Sequence, residues 1–368
     1  MRFPEFSGEW IHCALGDISD VTKLAGFEFT QYVTYEDSGS IIALRGLNCK
    51  NGRLDLSDVK YIDNSNLSKL TRSKLYIGDI LFTYVGTVGE VAIIEENDRY
   101  YLAPNVSRIR LNNGYNPYFV KQLLHTNRFY NKIIFPLIAT SSQPALSMEN
   151  VRKFALQIPS ISEQQKISSF LALLDERIAT QIKIIEKLES LIKGLCQKLT
   201  QQDNPNTALN EALVCYSSTL QESSVQETGD YPVYGATGVC GYTDTPEVDD
   251  DSILIIKDGA SVGVTYYASG KYSAIGTLNR LVAKRGYSLR YLYYCLKVFN
   301  FAPYRTGLAI PHIYFRDYGK AKVWCPSLDE QQRIADALSK VEQKIAIEKS
   351  LLEQLYSQKR FLLQSMFI

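Results

Sequence analysis

Apolar residues recur at every seventh position in two long stretches of the chain, one after residue 165 and one after residue 332. A strict period of seven leaves a narrow apolar seam, which a helix buries only against a partner helix. We therefore predict that the two helices pair with each other as a coiled coil, with pairing between two chains as the alternative. The predicted seam positions are Leu171, Leu174, Ile178, Ile185, Leu188, Ile192, Leu195, Leu338, Val341, Ile345, Leu352, Leu355 and Leu362.

Polar residues interrupt this seam at Gln181, Glu348 and Lys359. Polar side chains at seam positions weaken a coiled coil but fix its register. We expect these three residues to specify how the helices align. A helix packed only on its own domain would instead show a wider apolar stripe.

Each helical stretch begins with nearly the same nine letters, PSISEQQKI at 159–167 and PSLDEQQRI at 326–334. Upstream the similarity continues with small changes in offset, so that GDILFTYVGTVG at 78–89 aligns with DSILIIKDGASVG at 251–263. A repeat of this size predicts two copies of one structural unit, with the changes in offset lying in loops. The shared Glu-Gln-Gln is typical of the first turn of a helix.

The two globular parts that precede the helices contain short β-rich runs, separated by Gly, Asn and Asp and followed by a helical stretch. This mixture predicts the α+β class. The predicted boundaries are a first domain at 1–158, a central long helix at 159–202, a second domain at 203–325 and a C-terminal long helix at 326–368. The Gly-rich GATGVCG at 235–241 lies between two β-like runs, so we expect a turn there rather than a dinucleotide-binding loop.

The charges are sorted along the chain, although the net charge is only +1. Residues 1–98 carry 9 Lys and Arg against 15 Asp and Glu, whereas residues 99–153 carry 8 against one. The division returns in the second half, where residues 203–258 carry one basic residue against 11 acids and residues 271–320 carry 9 against one. This indicates two basic surfaces within a neutral total. The alternative is solvated charge sorted by chance.

Sequence motifs of catalysis and metal binding are missing. There is no G-x-x-x-x-G-K-[ST] phosphate loop, and the three histidines and seven cysteines show no spacing typical of a metal site or a disulfide framework. The segment Asn116-Pro117-Tyr118-Phe119 is similar to the loop of amino-methyltransferases but lacks its second proline. No apolar stretch approaches the ~18 residues of a membrane span and the first residues do not form a signal peptide, so a cytoplasmic location is expected.

With these features assembled, the sequence resembles the specificity subunits of Type I restriction-modification systems. The resemblance rests on the doubled Pro-Ser-x-x-Glu-Gln-Gln start of each long helix, and it covers nearly the whole chain. Further segments that carry it are EWIHCALGDI (9–18), SSQPALS (141–147), YPVYGATGVCGY (231–242) and ILIIKDGASVG (253–263). The sequence departs from the family at Ile310, where a polar glutamine usually precedes proline.

The resemblance implies a DNA-reading subunit without catalytic residues of its own. Its two globular parts would be target-recognition domains, joined by the two long helices as an antiparallel intramolecular coiled coil with a pseudo-twofold repeat. They would read a bipartite, asymmetric site in double-stranded DNA, with one half-site per domain. The implied partners are two modification subunits that bind S-adenosylmethionine and restriction subunits that use ATP and Mg. No cofactor is expected in this chain.

Basic and polar side chains in the two basic segments are the candidates for DNA contacts, because Lys and Arg bind phosphates while Arg, Asn, Gln and Ser read base edges. In the first domain they are Asn105, Ser107, Arg108, Arg110, Lys121, Arg128, Lys132, Ser141 and Gln143. In the second domain they are Lys257, Ser261, Thr277, Asn279, Arg280, Lys284, Arg285, Arg305 and His312. Arg108 and Arg280 are the preferred pair, since the repeat preserves them.

Two other functions fit parts of the sequence. One is a scaffold that uses two domains and a coiled coil to bind proteins, and the other is a methyltransferase that uses the loop at 116–119. The bases that a DNA-reading subunit would recognise do not follow from the sequence, because recognition domains place different side chains on one fold.

Overall fold

Strands and short helices alternate through residues 11–158, and a long helix follows them. The computed structural model describes residues 2–139, 143–307 and 309–367. The helices and strands of the first half are β1 (Ile11–Ala14), α1 (Leu15–Ile18), β2 (Ser19–Lys23), α2 (Gly26–Tyr32), β3 (Ile42–Leu44), β4 (Cys49–Lys50), β5 (Arg53–Leu54), β6 (Lys60–Tyr61), β7 (Ile80–Thr83), β8 (Val91–Ile93), β9 (Tyr100–Leu102), β10 (Val106–Leu111), α3 (Pro117–Leu124), α4 (Asn127–Phe129), α5 (Met148–Arg152), β11 (Ala155–Ile158) and α6 (Ile161–Thr200).

The second half repeats this succession and also ends in a long helix. Its helices and strands are β12 (Thr207–Ala208), α7 (Leu209–Ala212), β13 (Leu213–Ser217), β14 (Tyr231–Gly235), β15 (Gly238–Thr243), β16 (Ser252–Ile256), β17 (Thr265–Ala268), β18 (Ser273–Ala274), β19 (Leu278–Ala283), α8 (Leu289–Lys297), α9 (Phe315–Tyr318), β20 (Lys322–Val323) and α10 (Leu328–Met366). The glycine-rich segment at 235–241 contains the turn of the β14–β15 hairpin at residues 236–237, as predicted, and continues into β15.

The chain divides into two compact units, and both long helices contribute to each of them. Unit 1 consists of Met1–Ala179 and Glu353–Ile368, and unit 2 consists of Thr180–Leu352. Among the described residues, no helix is long and apolar enough to cross a membrane.

The main sheet has the same topology in both units, which confirms the predicted repeat. In unit 1 the strand order is β2-β10-β7-β8, and in unit 2 it is β13-β19-β16-β17, with antiparallel neighbours throughout. A smaller sheet accompanies each main sheet, with the orders β6-β3-β9 and β15-β14-β18. Mixed sheets and helices in two equivalent copies confirm the α+β class.

Each unit builds its own hydrophobic core. In unit 1 a large part of the core lies between the two sheets, where Leu44 of β3 and Leu81 of β7 are fully buried. In unit 2 the core also includes α8 and the parts of the long helices that belong to this unit, and it buries Tyr291, Cys196 and Leu338. The second globular part is therefore packed directly on the long helices.

The long helices α6 and α10, of 40 and 39 residues, contact each other within both units. In unit 2 the side-chain amide of Gln181 donates to the carbonyl oxygen of Glu348 at 3.1 Å and also to its carboxylate. In unit 1 the ammonium of Lys359 lies 2.5 Å from the carboxylate of Asp175. The earlier part of α6 thus meets the later part of α10, and the reverse, so the predicted antiparallel intramolecular pairing is confirmed.

The predicted seam positions are buried or half-buried along both helices. The buried ones are Leu171, Leu174, Ile178, Ile185, Ile192, Leu338, Ile345, Leu355 and Leu362, and the half-buried ones are Leu188, Leu195, Val341 and Leu352. The polar residues that were predicted to interrupt the seam form hydrogen bonds or ion pairs within the protein. Gln181 and Glu348 are equivalent positions of the repeat and pair with each other.

A buried glutamine ties the start of α3 to the start of α6. The side-chain oxygen of Gln164 accepts a hydrogen bond from the backbone N–H of Asn116 at 2.8 Å, and its amide nitrogen donates to the carbonyl of Pro159 at 2.8 Å. Gln164 is only 1% exposed. Asn116 also caps α3, because its side chain accepts from the N–H of Phe119 at 3.1 Å. The segment that is similar to a methyltransferase loop therefore begins a helix, with its proline at the first helical position.

Unit 2 contains the same glutamine contact. The side-chain oxygen of Gln331 accepts from the backbone N–H of Ser288 at 2.9 Å, and its amide nitrogen donates to the carbonyl of Pro326 at 2.9 Å. Gln331 is also 1% exposed, and Ser288 caps α8 as Asn116 caps α3. The first glutamine of each Glu-Gln-Gln therefore joins a globular part to a long helix.

The other two letters of the motif do not share this role. The second glutamines, Gln165 and Gln332, are exposed. Glu163 is buried in an ion pair with Arg2 at 2.6 Å, whereas the equivalent glutamate of the second copy is paired with an arginine of its own helix. The repeat thus preserves one joint, centred on the first glutamine.

We expect Gln164→Ala and Gln331→Ala to lower the free energy of unfolding by about 1–3 kcal/mol each, because each change leaves a buried N–H and a buried carbonyl without a partner. The measurement is urea denaturation of the full-length chain. The exposed neighbours supply matched controls, since Gln165→Ala and Gln332→Ala should change the stability by less than about 0.5 kcal/mol. Equal effects of the buried and exposed substitutions would contradict the stabilising role of the buried glutamines.

Candidate nucleic-acid interface

Three loops meet at one end of the main sheet in each unit. In unit 1 they are residues 84–89, which follow β7, residue 105, which precedes β10, and residues 139 and 143–146; we call them the first loop cluster. The equivalent residues of unit 2 are 257–263, 277, 306–307 and 309–313, which we call the second loop cluster.

Backbone hydrogen bonds hold the first loop cluster together. The N–H of Tyr84 donates to the carbonyl of Asn105 at 3.2 Å, and the N–H of Leu146 donates to the carbonyl of Tyr84 at 2.8 Å. The N–H of Gly86 donates to the carbonyl of Pro144 at 2.9 Å. The positions of the loops are therefore set by main-chain atoms, independently of which side chains they carry.

The second loop cluster repeats these bonds one for one. Lys257 donates to Thr277 at 3.0 Å, and Ile313 donates to Lys257 at 2.9 Å, again between N–H and carbonyl groups. Gly259 donates to Pro311 at 2.9 Å. The two clusters are thus one backbone scaffold used twice.

A glycine in each cluster permits a turn that other residues do not adopt easily. Gly89 has a φ of +96° and Gly263 a φ of +92°. A Cβ atom on Gly89 would lie 2.9 Å from the ring of Tyr130, and one on Gly263 would lie 2.8 Å from the ring of Phe301. Both the positive φ and the close aromatic ring therefore require glycine.

The polar side chains of the first loop cluster are uncharged. Asn105, Gln143 and Thr87 are exposed, and they border a cavity of about 340 Å³ that Arg45 also lines. Asn105 has a φ of +72°, a left-handed backbone conformation outside the range of a strand. Arg45 hydrogen-bonds the carboxylate of Asp58 at 2.8 Å.

The second loop cluster places charged side chains on the same scaffold. Five predicted DNA-contacting residues belong to it or touch it, namely Lys257, Ser261, Thr277, Arg305 and His312. Arg305 donates to the carbonyl of Val262 at 3.0 Å. His312 Nδ1 lies 2.7 Å from an oxygen of Asp258. The hydroxyl of Thr277 is buried.

The predicted residues on the main sheets have partners inside the protein. Ser107 is fully buried and donates to the carbonyl of Phe82 at 3.0 Å. The Arg108 side chain is 6% exposed and hydrogen-bonds Asp20 and the carbonyl of Arg72. Burial, together with the adjacent guanidinium of Arg110, lowers the pKa of Arg108.

The remaining sheet residues are engaged in a similar way. Arg110 binds Asp79 through two hydrogen bonds of 2.7 and 2.6 Å, which raise the pKa of Arg110. In unit 2, Asn279 is 5% exposed, and the guanidinium of Arg280 lies 4.5 Å from the ring centre of Tyr216. Arg108 and Arg280 occupy the same place in the two sheets, but their contacts are those of residues that stabilise the sheet.

The other predicted residues lie away from the loop clusters. Arg128 of α4 and Lys132 just after this helix are exposed, and Lys284 and Arg285 are exposed in the turn after β19. Lys121 and Ser141, the remaining candidates, differ from these four exposed residues. Lys121 lines a cavity beside α6, where burial lowers its pKa against the opposing effect of Asp175. Ser141 lies outside the described residues.

Sequence reasoning missed Asp258. The alignment of 78–89 with 251–263 marks its segment, but the contact with His312 joins residues 54 positions apart. The predicted DNA contacts are basic and uncharged polar side chains, so this aspartate is not among them. The run of acids in 203–258 therefore concealed one that holds a candidate DNA-contacting residue.

The two units carry different polar side chains on one backbone scaffold. The family model described as "Type I restriction modification DNA specificity domain" matches residues 8–190 and 216–357, and the chain belongs to this family.

Several relatives are named specificity subunits. A putative type I restriction enzyme MjaX specificity subunit from Methanocaldococcus jannaschii is 30% identical over 156 residues, which is 40% of this chain and 36% of that protein. The HindI specificity subunit from Haemophilus influenzae is 26% identical over 56% of this chain and 44% of that protein. The chain thus matches less than half of the length of either relative.

The fold is also that of a solved specificity subunit. The crystal structure of the Type I restriction-modification S subunit from M. genitalium covers 100% of this chain and 99% of its own, with a TM-score of 0.64 at 17% identity. This likeness concerns the fold over the whole length of this chain.

We expect Gly89→Ala and Gly263→Ala to destabilise the chain by about 1–3 kcal/mol each, because each combines a strained positive φ with a clash against an aromatic ring. Thermal unfolding measures the effect. Gly86→Ala and Gly259→Ala are the controls, because they share the positive φ but have open space around the added methyl group. The controls should lose less stability, and the difference gives the cost of the clash with the aromatic ring. Equal losses of stability at all four positions would show that this clash does not contribute.

Proposed function

We propose that this chain is the DNA specificity subunit of a Type I restriction-modification complex. Each globular domain reads one half of a bipartite, asymmetric site in double-stranded DNA, and the bases between the half-sites are not read. The observation that carries this proposal is the pair of loop clusters, in which identical backbone bonds present Asn105 and Gln143 in one unit but Lys257 and His312 in the other. One scaffold with two sets of side chains suits two different half-sites.

Base reading is assigned to the loop clusters, because polar side chains such as those of Asn105, Gln143 and His312 are exposed or partly exposed and set on a fixed backbone. Amide groups such as those of Asn105 and Gln143 pair well with adenine edges in the major groove. The exposed basic residues outside the clusters are suited to phosphates, which position a protein without reading sequence. These are Arg128, Lys132, Lys284 and Arg285.

The residues of the main sheets have a different part in this proposal. Ser107, Arg108, Arg110, Asn279 and Arg280 hold the strands from which the loops depart. Their effect on DNA recognition is therefore indirect, through the geometry of the loops. Lys121 is assigned to the contact with α6 rather than to DNA.

Catalysis is assigned to partner subunits. Modification subunits would bind S-adenosylmethionine and transfer the methyl group, and restriction subunits would use ATP and Mg. A repeated feature of this chain supports two copies of one partner. Ile161 and Leu328 occupy the same position at the start of the two long helices, and both large apolar side chains are exposed, at 40% and 46%. Exposed apolar residues that both repeats keep are suited to two identical contacts.

The test of the proposed function is single-molecule sequencing of methylated adenines in DNA from cells that contain this chain with its modification subunit. We expect a new bipartite motif with a fixed gap. Asn105→Gly, which suits the positive φ, should then relax one base of one half-site by about 1–3 kcal/mol of discrimination. Asn51→Gly is the matched control, as another exposed asparagine at positive φ outside the cluster.

No change in the methylated positions, with the complex shown to assemble, would overturn the proposal. It would favour a scaffold that binds proteins. Methyl transfer by this chain alone would overturn the assignment of catalysis to its partners.

We expect Ile161→Glu and Leu328→Glu each to remove one of two bound modification subunits, because a charge replaces an exposed apolar contact. Native mass spectrometry of the assembled complex counts the copies. Phe27→Glu, at a side chain that is 60% exposed and has no counterpart in the repeat, is the control and should leave both copies bound. Two copies bound to either variant would show that these positions do not carry the contact.

A further inference from the structure

The second loop cluster contains a histidine and an aspartate in direct contact. His312 Nδ1 lies 2.7 Å from Asp258 Oδ1, and the two side chains are 35% and 33% exposed. The backbone of His312 is held on both sides, because it pairs with Asp258 and with Thr306 as short β-bridges. The imidazole is therefore fixed by its own main chain and by a carboxylate, at the surface of the cluster.

The first loop cluster has no such pair at the equivalent place. Its bridges join Val85 to Ala145 and Ala139 to Ala145, so Val85 stands where Asp258 stands and Ala145 where His312 stands. Two residues earlier, Gln143 of the first cluster corresponds to Ile310 of the second. The polar side chain has thus moved by two positions, which in an extended segment keeps it on the same face.

The contact with Asp258 determines which nitrogen of His312 remains available to a ligand. A carboxylate only accepts hydrogen bonds, so the imidazole donates its Nδ1–H to Asp258. The other nitrogen, Nε2, has no hydrogen-bond partner among residues 2–139, 143–307 and 309–367. In the neutral ring this nitrogen is an acceptor with a fixed direction.

The surroundings of the ring keep it in this orientation. The ring of Tyr314 lies 6.5 Å away, centre to centre, in a nearly parallel arrangement with an interplanar angle of 22°. Gly307 lies on another side, where an added Cβ would be 3.1 Å from a carbon of the imidazole. The charged groups of the cluster near His312 are Asp258, in contact, Lys257, and Arg305, which is committed to the carbonyl of Val262.

We infer that His312 is a specificity-determining residue of the second recognition domain, with Asp258 as its positioning residue. Its Nε2 accepts a hydrogen bond from an exocyclic amino group at a base edge, the N6 amine of adenine or the N4 amine of cytosine. These amines are the donors that bases present in the major groove, and a guanine or thymine at that position offers an acceptor instead. The inference rests on the proposed function and adds the chemistry of one contact.

The experiment measures base preference in the complete complex with His312→Phe, which keeps a ring against Tyr314 but removes both nitrogens. Methylated-adenine sequencing should show that one position of the second half-site has lost its preference for an amino base by roughly tenfold or more, while the first half-site is unchanged. Asp258→Ala should relax the same position. Asp258→Asn should retain the preference, because the amide oxygen still accepts from Nδ1–H.

Two controls separate recognition from folding. His12→Phe changes a histidine of unit 1 that lies outside both loop clusters, and it should leave both half-sites as they are. Thermal unfolding identifies variants that fail to fold. If His312→Phe does so, His312→Ala and the Asp258 pair of variants carry the test.

Three outcomes would overturn the inference. In the first, a folded His312→Phe complex keeps the second half-site unchanged. In the second, binding weakens equally on all sequences with a smaller salt dependence, which is the behaviour of a phosphate contact. In the third, Asp258→Ala relaxes a different position. If the wild-type complex writes no bipartite motif, the proposed function itself fails, and this result is distinct from the other three.

Discussion

The joint made by one buried glutamine determines how each globular part is attached to a long helix. Gln164 and Gln331 each satisfy an N–H at the start of a domain helix and a carbonyl just before a long helix. Both backbone groups are buried or partly buried, where an unpaired polar group costs more than a hydrogen bond contributes. The bond to the proline carbonyl holds the side-chain amide in place at the start of the long helix, and a rotation of the domain helix against the long helix would break the bond from the N–H to this amide. The glutamine therefore restricts each globular part to one orientation on its own helix.

This joint explains why the sequence repeats the first glutamine of its Glu-Gln-Gln, and why the sequence alone could not show the reason. The letters are compatible with an ordinary helix start, and that interpretation accounts for their position but not for their identity. The decisive partner of Gln164 lies 48 residues upstream, and that of Gln331 lies 43 residues upstream. Local pattern predicted the long helices, their pairing, the repeat and the α+β class, because periodicity and self-similarity are visible in one dimension. A contact between distant segments is not. The antiparallel direction of the pair followed from the family resemblance.

In the candidate site, the residues that the repeat preserves differ from those that suit DNA recognition. The sequence favoured Arg108 and Arg280 because both copies retain them, and both occupy the same sheet position. Their contacts with Asp20 and Tyr216 are internal, however. If two domains share a fold but read different half-sites, what they have in common serves the fold, and what differs between them serves recognition. Identity between the copies therefore favours a structural role where the side chain has a partner inside the protein, as at Arg108 and Arg280. Where the shared side chain is exposed and apolar, it suits a contact with a partner subunit.

The same reasoning identifies where recognition can vary at little energetic cost. The loop clusters are closed by main-chain hydrogen bonds and by glycines at positive φ, so side chains can be replaced without moving the backbone. The exchange of Val85 and Ala145 for Asp258 and His312 illustrates this freedom, because both pairs are carried by the same bridges. An isolated imidazole at such a site could rotate, and its donor and acceptor nitrogens could exchange places. A carboxylate opposite Nδ1 fixes which nitrogen of the neutral ring donates and which accepts. The histidine therefore needs the aspartate beside it, whereas the apolar pair of the first cluster only fills the same space.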